Sequence, residues 1–168
     1  MNTINIHGQA ANTYGTIPAI GQSCPHFALV KSDLSTATDE DFRGKRVVLN
    51  IFPSIDTATC AMSVRQFNSR AAGLPNTVVL AISADLPFAA GRFCSTEHIE
   101  NVVTLSTFRN PMFGRSMGLE LVDGPLQGLL ARAVVILDEK GTIVYSELVE
   151  ELTQEPNYKA ALDFLAQM

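Results

Sequence analysis

The sequence has no apolar run that approaches the roughly 18–20 residues needed to cross a bilayer. Its longest runs, Val47–Phe52 (interrupted by Asn50), Val78–Ile82 and Ala133–Leu137, have the length of buried strands, and no membrane partner is expected. Residues Met1–Ile6 lack a basic region followed by an apolar stretch and a small-residue cleavage site. No secretory signal is therefore evident, and a cytoplasmic location is expected. Clusters of Lys or Arg are also missing. The 12 basic and 17 acidic residues give a formal charge of −5, which leaves no electrostatic footprint for nucleic acid or anionic lipid.

Cysteine is sparse. Three cysteines, an odd number with no Cys-x-x-Cys pair, do not make the disulfide framework of a small secreted protein. The three histidines, His7, His26 and His98, never fall at metal-ligand spacing, so no zinc site is expected. Nor do they stand in a recognisable context for the base of a cysteine hydrolase. Repeats, low-complexity stretches and linkers are absent, so residues 1–168 are expected to form a single domain, with residues 1–17 as an N-terminal hairpin extension. The 46% apolar and 17% charged composition is that of an ordinary globular chain long enough for a full core.

Hydrophobic periodicity places strands at Phe27–Val30, Arg46–Phe52, Thr77–Ser83 and Val102–Leu105, with polar turns over Ser32–Gly44. After Pro53 the period changes: Cys60, Val64, Phe67 and Ala71 form a helical stripe that stops near Gly73 and Pro75. Pro87–His98 reads as a helix or helix-like loop, and Pro111–Met117 as a short helix followed by Gly118. Ala131–Leu137 and Thr142–Leu148 flank the turn Asp138–Gly141 as a hairpin, and Tyr158–Gln167 closes the chain as an amphipathic helix. Strand-helix-strand units with continuous apolar strands imply parallel pairing, and the last hairpin implies an antiparallel edge. The expected class is α/β, a mixed central sheet flanked by helices.

The chemistry concentrates at Cys60. The loop Pro53–Thr59 leaves a buried strand and enters a helix, which puts Cys60 in or beside the first helical turn. Free backbone N–H groups and the helix dipole there favour an anion, and hence a thiolate. Pro53 stiffens the loop. The Thr57 hydroxyl could bond the thiolate or an incoming oxygen, or act only as a helix cap. A second positive group is needed, and Arg132, isolated among small and apolar neighbours, is the candidate; a plain ion pair with Glu147 or Glu150 is the alternative.

At this point a resemblance becomes specific. The pattern Pro53-x-x-x-Thr57-x-x-Cys60 resembles the peroxidatic motif of the peroxiredoxins, enzymes with a thioredoxin-like fold. The strings Val48–Thr57, Ile82–Phe88, Arg92–Cys94, Leu105–Asn110 and Ala131–Ala133 resemble the bacterial thiol peroxidases, the atypical two-cysteine branch of that family. The likeness runs from about Gly15 to the C-terminal helix. It implies that Cys60 is the peroxidatic nucleophile, that Cys94 is the resolving thiol that forms an intramolecular disulfide with it, and that Pro53, Thr57 and Arg132 shape the pocket. It further implies reduction of hydrogen peroxide and organic hydroperoxides, thioredoxin as reductant, a homodimer, and no metal, haem or flavin cofactor. If Cys94 lies within a helix, local unwinding has to precede the disulfide, and Gly91 would ease it.

Several residues stay outside this scheme. Cys24 has no place in the family pattern and is expected to be packing. His98, one turn after Cys94, is either a surface residue or a neighbour that tunes it. Phe88, Phe93, Phe108, Met112, Phe113 and Met117 are expected to be core or dimer surface, or in part a pocket lining for bulky peroxides. The rival from another class is a redox relay, in which oxidised Cys60 passes its oxidation to a partner protein and peroxide turnover is incidental.

Overall fold

The computed structural model describes residues 1–168. Strands β1 (Thr3–Ile6) and β2 (Gln9–Asn12) pair antiparallel as a separate hairpin. Both residues of its His7-Gly8 turn have positive φ, 50° and 79°, which matches the twist of the flanking strands in a two-residue hairpin. The hairpin is shorter than the 1–17 extension expected. Thr13, whose side chain is buried and donates to the Gly15 carbonyl, leaves the pair to bridge Leu121.

Strands β3 (Ala28–Lys31), β4 (Thr36–Thr38), β5 (Arg46–Ile51), β6 (Thr77–Ser83), β7 (Val102–Ser106), β8 (Ala133–Leu137) and β9 (Ile143–Leu148) form a seven-stranded sheet in the order β4-β3-β7-β6-β5-β8-β9. The central β5, β6 and β7 are parallel, with Asn50 opposite Ala81 and Ser83 opposite Ser106. All other pairs are antiparallel. The sheet therefore has antiparallel edges on both sides, where the sequence implied one. Ser32–Gly44, expected as turns, supplies β4 and a 3-10 turn over Asp39–Phe42. The strand escaped notice because only Ala37 of its three residues is buried, too short a run to show a period of two.

Helices α1 (Ala58–Arg70), α2 (Pro87–Thr96), α3 (Met112–Ser116) and α4 (Tyr158–Ala166) complete the fold. Alternation along the strands gives each face its own core. Val47, Leu49, Ile51, Leu80, Ile82 and Val135 pack with the hairpin and with Phe113 and Met117. On the other face, Val48, Val79, Ala81, Val134 and Ile136 pack under α1 and α4. No helix is long and apolar enough to cross a membrane.

Two helix ends are set by residues with positive φ. Gly118, beyond α3, has φ 68°, and a Cβ there would fall 2.1 Å from the Thr16 carbonyl, so only glycine lets the two segments pass. Helix α2 stops at Thr96, short of the expected His98, because His98 turns into the left-handed region with φ 57°. Ile99 N–H then donates to the Cys94 carbonyl (2.9 Å) and His98 N–H to Ser95 (3.4 Å), the pair of bonds that defines a Schellman ending.

Candidate active site

The C-terminal ends of β5, β6 and β7 lie at one edge of the sheet, where ligands gather in open α/β folds. There β5 runs into Phe52 and Pro53, and the next residues are pinned by a carboxylate from the neighbouring strand's end. Asp85, just after β6, accepts from Ser54 Oγ (2.7 Å), Ile55 N–H (2.6 Å) and Ser83 Oγ (2.8 Å). Ile55 is driven into the core. The loop is thereby held from both sides before α1 begins.

Thr57 is the N-cap of α1: its Oγ1 accepts from Cys60 N–H at 3.4 Å and donates to the Ser54 carbonyl at 3.1 Å. Of the roles open to Thr57, the cap is the one formed here, and its hydroxyl makes no bond to the sulfur. Cys60 stands in the first turn, wholly buried. Beneath it, Ser63 Oγ donates to the Cys60 carbonyl (2.7 Å) and accepts from Asn50 Nδ2 (3.1 Å). Asn50, which interrupts the apolar run of β5, thus braces the helix start from inside the core.

The sulfur has one polar partner, Arg132, whose Nη2 donates to Cys60 Sγ at 3.2 Å. Arg132 precedes β8 and is 2% exposed. Its Nε donates to the Leu152 carbonyl at 2.9 Å, and its Nη1 has no hydrogen-bond partner. The ion pair with Glu147 or Glu150 is not formed. Glu147 accepts from Asn157 N–H instead. With no carboxylate on it, the guanidinium leaves its positive field at the sulfur.

Pro53, Thr57 and Arg132 line one pocket of about 370 Å³, walled also by Ile6, Leu126 and Leu152. The hairpin tip and the segments after β7 and β9 thus close over the three positions that the motif singled out. A larger groove of about 660 Å³, at Arg46, Leu74 and Leu165, lies at the opposite end of β5 and has no nucleophile in its wall. No group of three His, Cys, Asp or Glu side chains could hold a metal ion.

Cys94 is not bonded to Cys60. Both are free thiols, and Cys94, half-buried in α2, lines a different groove with Lys31, Asp33 and Glu100. Burial pushes its thiol up. Cys24 lies against the β8–β9 turn, its N–H on the Gly141 carbonyl. Burial, then the nearby Asp39 carboxylate, pushes its thiol up to about 12, which makes it inert. His98 is exposed at the end of α2. The group of aromatic and methionine residues divides. Phe113 and Met117 belong to the core on one face of the sheet, Phe93 packs against the core on the other, and Phe88, Phe108 and Met112 are exposed.

Sequence reasoning missed Asp85, although a carboxylate directly after a buried strand was visible as a signal. It also missed the pocket walls from Ile6, His7 and Leu126, which nothing in local sequence connects to Cys60.

Residues 19–162 match the family model described as Redoxin. A thiol peroxidase of Corynebacterium glutamicum is 50% identical over 162 residues, spanning 96% of this chain and 98% of that protein. Among solved structures, a peroxiredoxin-like protein from Aquifex aeolicus superposes with a TM-score of 0.93 at 34% identity, covering 99% of this chain and 97% of that one. A thiol peroxidase from Chromobacterium violaceum superposes with a TM-score of 0.91 at 21% identity, covering 98% and 95%, and so shares the fold.

Proposed function

Because this chain belongs to the redoxin family, within it to the peroxiredoxin-type thiol peroxidases, we propose that it acts as one domain that reduces hydroperoxides with Cys60 as nucleophile. The observation that carries the assignment is the Arg132 guanidinium, with Nη2 on Cys60 Sγ at 3.2 Å and Nη1 unpartnered in a buried site. An unsatisfied buried donor is costly, and a peroxide oxygen in the adjoining pocket would satisfy it.

In the proposed reaction the Cys60 thiolate attacks one peroxide oxygen in line, the O–O bond breaks, and the leaving oxygen departs as water or an alcohol after taking a proton. Negative charge moves from sulfur to that oxygen. Arg132 spans both ends of the movement, and donors fixed in advance are worth most in a site kept dry. Thr57 holds the first turn of α1 in place, and Pro53 closes the other wall. The apolar residues Ile6, Leu126 and Leu152 suit the carbon chain of organic hydroperoxides, and hydrogen peroxide is small enough to use the same site.

The sulfenic acid on Cys60 is then resolved by Cys94. That both thiols are free, with Cys94 inside α2, supports the expectation that α2 unwinds first, and thioredoxin in a reducing cytoplasm would reopen the disulfide. A homodimer fits the exposed apolar side chains Leu86, Phe88, Phe108 and Met112. They follow the adjacent ends of β6 and β7, where the Ser106 hydroxyl donates to the Asp85 carbonyl, and exposed apolar side chains are what a partner copy would cover.

Peroxide-dependent NADPH consumption with thioredoxin and its reductase tests the reading. Cys60→Ser and Cys94→Ser are both expected to stop turnover, with Cys94→Ser still consuming one fast equivalent of peroxide. Full turnover in Cys60→Ser would overturn the assignment. Stoichiometric oxidation without turnover in the native protein would favour a relay.

A further inference from the structure

Helix α2, which carries Cys94, is weak by its own sequence. Gly91 lies inside it, where a glycine costs helix stability. His98 occupies the left-handed position of its Schellman ending, φ 57°, where glycine is the residue without a steric penalty. The Cys94 carbonyl is part of that ending, accepting from Ile99 N–H at 2.9 Å. Glu97, the C-cap, carries a negative charge at the negative end of the helix dipole. Taken alone, the segment is built to open.

One side chain of α1 opposes this. Arg65, on the same helix as Cys60, donates from Nη2 to Glu97 Oε1 (2.8 Å) and from Nε to Glu97 Oε2 (3.2 Å). Its guanidinium also lies 5.6 Å from the centroid of the Phe93 ring. The residue before Cys94 and the cap after it are thus both held by Arg65. The hydrogen bond from Arg65 also draws the Glu97 carboxyl below its usual range. Neither Arg65 nor Glu97 lines the Cys60 pocket.

We propose that Arg65, through Glu97 and Phe93, clasps the Cys94 end of α2 to α1 and so sets the rate at which Cys94 is released to resolve oxidised Cys60. The inference rests on the proposed two-cysteine cycle. In the resolving step the Cys94 sulfur attacks the Cys60 sulfenic sulfur, the S–S bond forms, the S–O bond breaks, and hydroxide leaves with the Cys94 proton as water. While α2 stays clasped, a second hydroperoxide can instead oxidise the sulfenate to sulfinate, releasing an alcohol or water. Arg65 and Glu97 are therefore positioning residues that divide flux between turnover and inactivation.

The test is quench-flow with thiol trapping and intact-mass readout, which separates Cys60 oxidation from disulfide formation in a chain that has no tryptophan to report either. Glu97→Gln and Arg65→Met are expected to leave the peroxide step unchanged and to speed disulfide formation about two- to fivefold, the range of an exposed, well-formed ion pair. Both should need more peroxide for half-inactivation. Raising ionic strength from about 0.05 to about 0.5 M should accelerate resolution in the native protein and not in the variants. The double swap Arg65→Glu/Glu97→Arg should restore the native rate, and His98→Gly, which relieves the strained cap, should slow resolution about fivefold. Equal resolution rates in native protein and Glu97→Gln, with Cys94→Ser still unable to form the disulfide, would overturn the clasp and leave the two-cysteine cycle standing. A disulfide to Cys60 in Cys94→Ser would instead remove the cycle on which the clasp depends.

Discussion

Arg132 Nη2 lies 3.2 Å from Cys60 Sγ across 72 positions of sequence, and no carboxylate competes for the guanidinium. That relationship makes a specific demand on the chemistry. Arg132→Met should lower the second-order rate of Cys60 oxidation about 10²–10³-fold, the effect of removing one preorganised donor to a developing charge. Arg132→Lys should recover only part of the loss, because an ammonium cannot reach the sulfur, the Leu152 carbonyl and the pocket at once. Single-turnover oxidation followed by mass spectrometry measures both variants.

Asp85 is expected to matter less than Arg132, and without touching the reacting atoms. Asp85→Asn replaces one of two accepting oxygens by a donor, so either Ile55 N–H loses its acceptor or the Ser54 hydroxyl has to reverse from donor to acceptor. The cost should be roughly 1–3 kcal/mol in stability. The peroxide step should slow by about tenfold as the Pro53–Thr57 loop loosens, since small displacements at a reacting centre carry large rate penalties. Urea unfolding and stopped-mixing oxidation read the two effects, and native values in both would remove the loop-pinning role.

Cys24 predicts an alkaline limit. Its folded thiol is pushed up from the ordinary value of 9.0 to about 12, by burial first and Asp39 second, whereas the unfolded thiol keeps the ordinary value. Between those values the unfolded state has lost a proton that the folded state keeps. The contribution to stability is complete below the unfolded value and falls by roughly 1.4 kcal/mol per pH unit as pH rises toward the folded one. Cys24→Ala should flatten the decline of unfolding free energy between about pH 9 and pH 11, checked by denaturant titrations across that range. The thiol should also resist alkylation at neutral pH while the protein is folded.

Gly118→Ala should be among the most damaging single-methyl additions. The new Cβ would meet the Thr16 carbonyl at 2.1 Å from a backbone with φ 68°. Overpacking and the left-handed conformation together should cost roughly 3 kcal/mol or more. Gly44→Ala shares the positive φ but meets nothing within 4 Å, so it should cost only the conformational part, about 1–2 kcal/mol. Thermal unfolding of the two variants separates close approach from backbone conformation.

Much of the fold was legible because its strands are written twice over, in apolar composition and in length. Thr77–Ser83 matches β6 to the residue, and the period change after Pro53 announced α1. The short β4 was not legible, since one buried alanine among polar residues carries no pattern. The end of α2 was misread by two residues because His98 gives no sign of turning left-handed, a conformation that glycine would have signalled.

What the sequence determined by itself is local: a cysteine placed in the first turn of a helix behind a proline-bounded loop, with Thr57 as its cap, in a family pattern that names the chemistry. Those features lie within a few residues of one another, and backbone geometry alone brings them together. Tertiary structure decided which distant groups the sulfur meets. Parallel pairing of β5 with β6 carries Asp85 to the loop, and antiparallel pairing with β8 carries Arg132 to Cys60. The packing of α1 near α2 sets Arg65 on Glu97 while leaving Cys94 and Cys60 as free thiols. Strand register and helix packing are properties of the whole core, so no window of sequence around any one of these residues contains them.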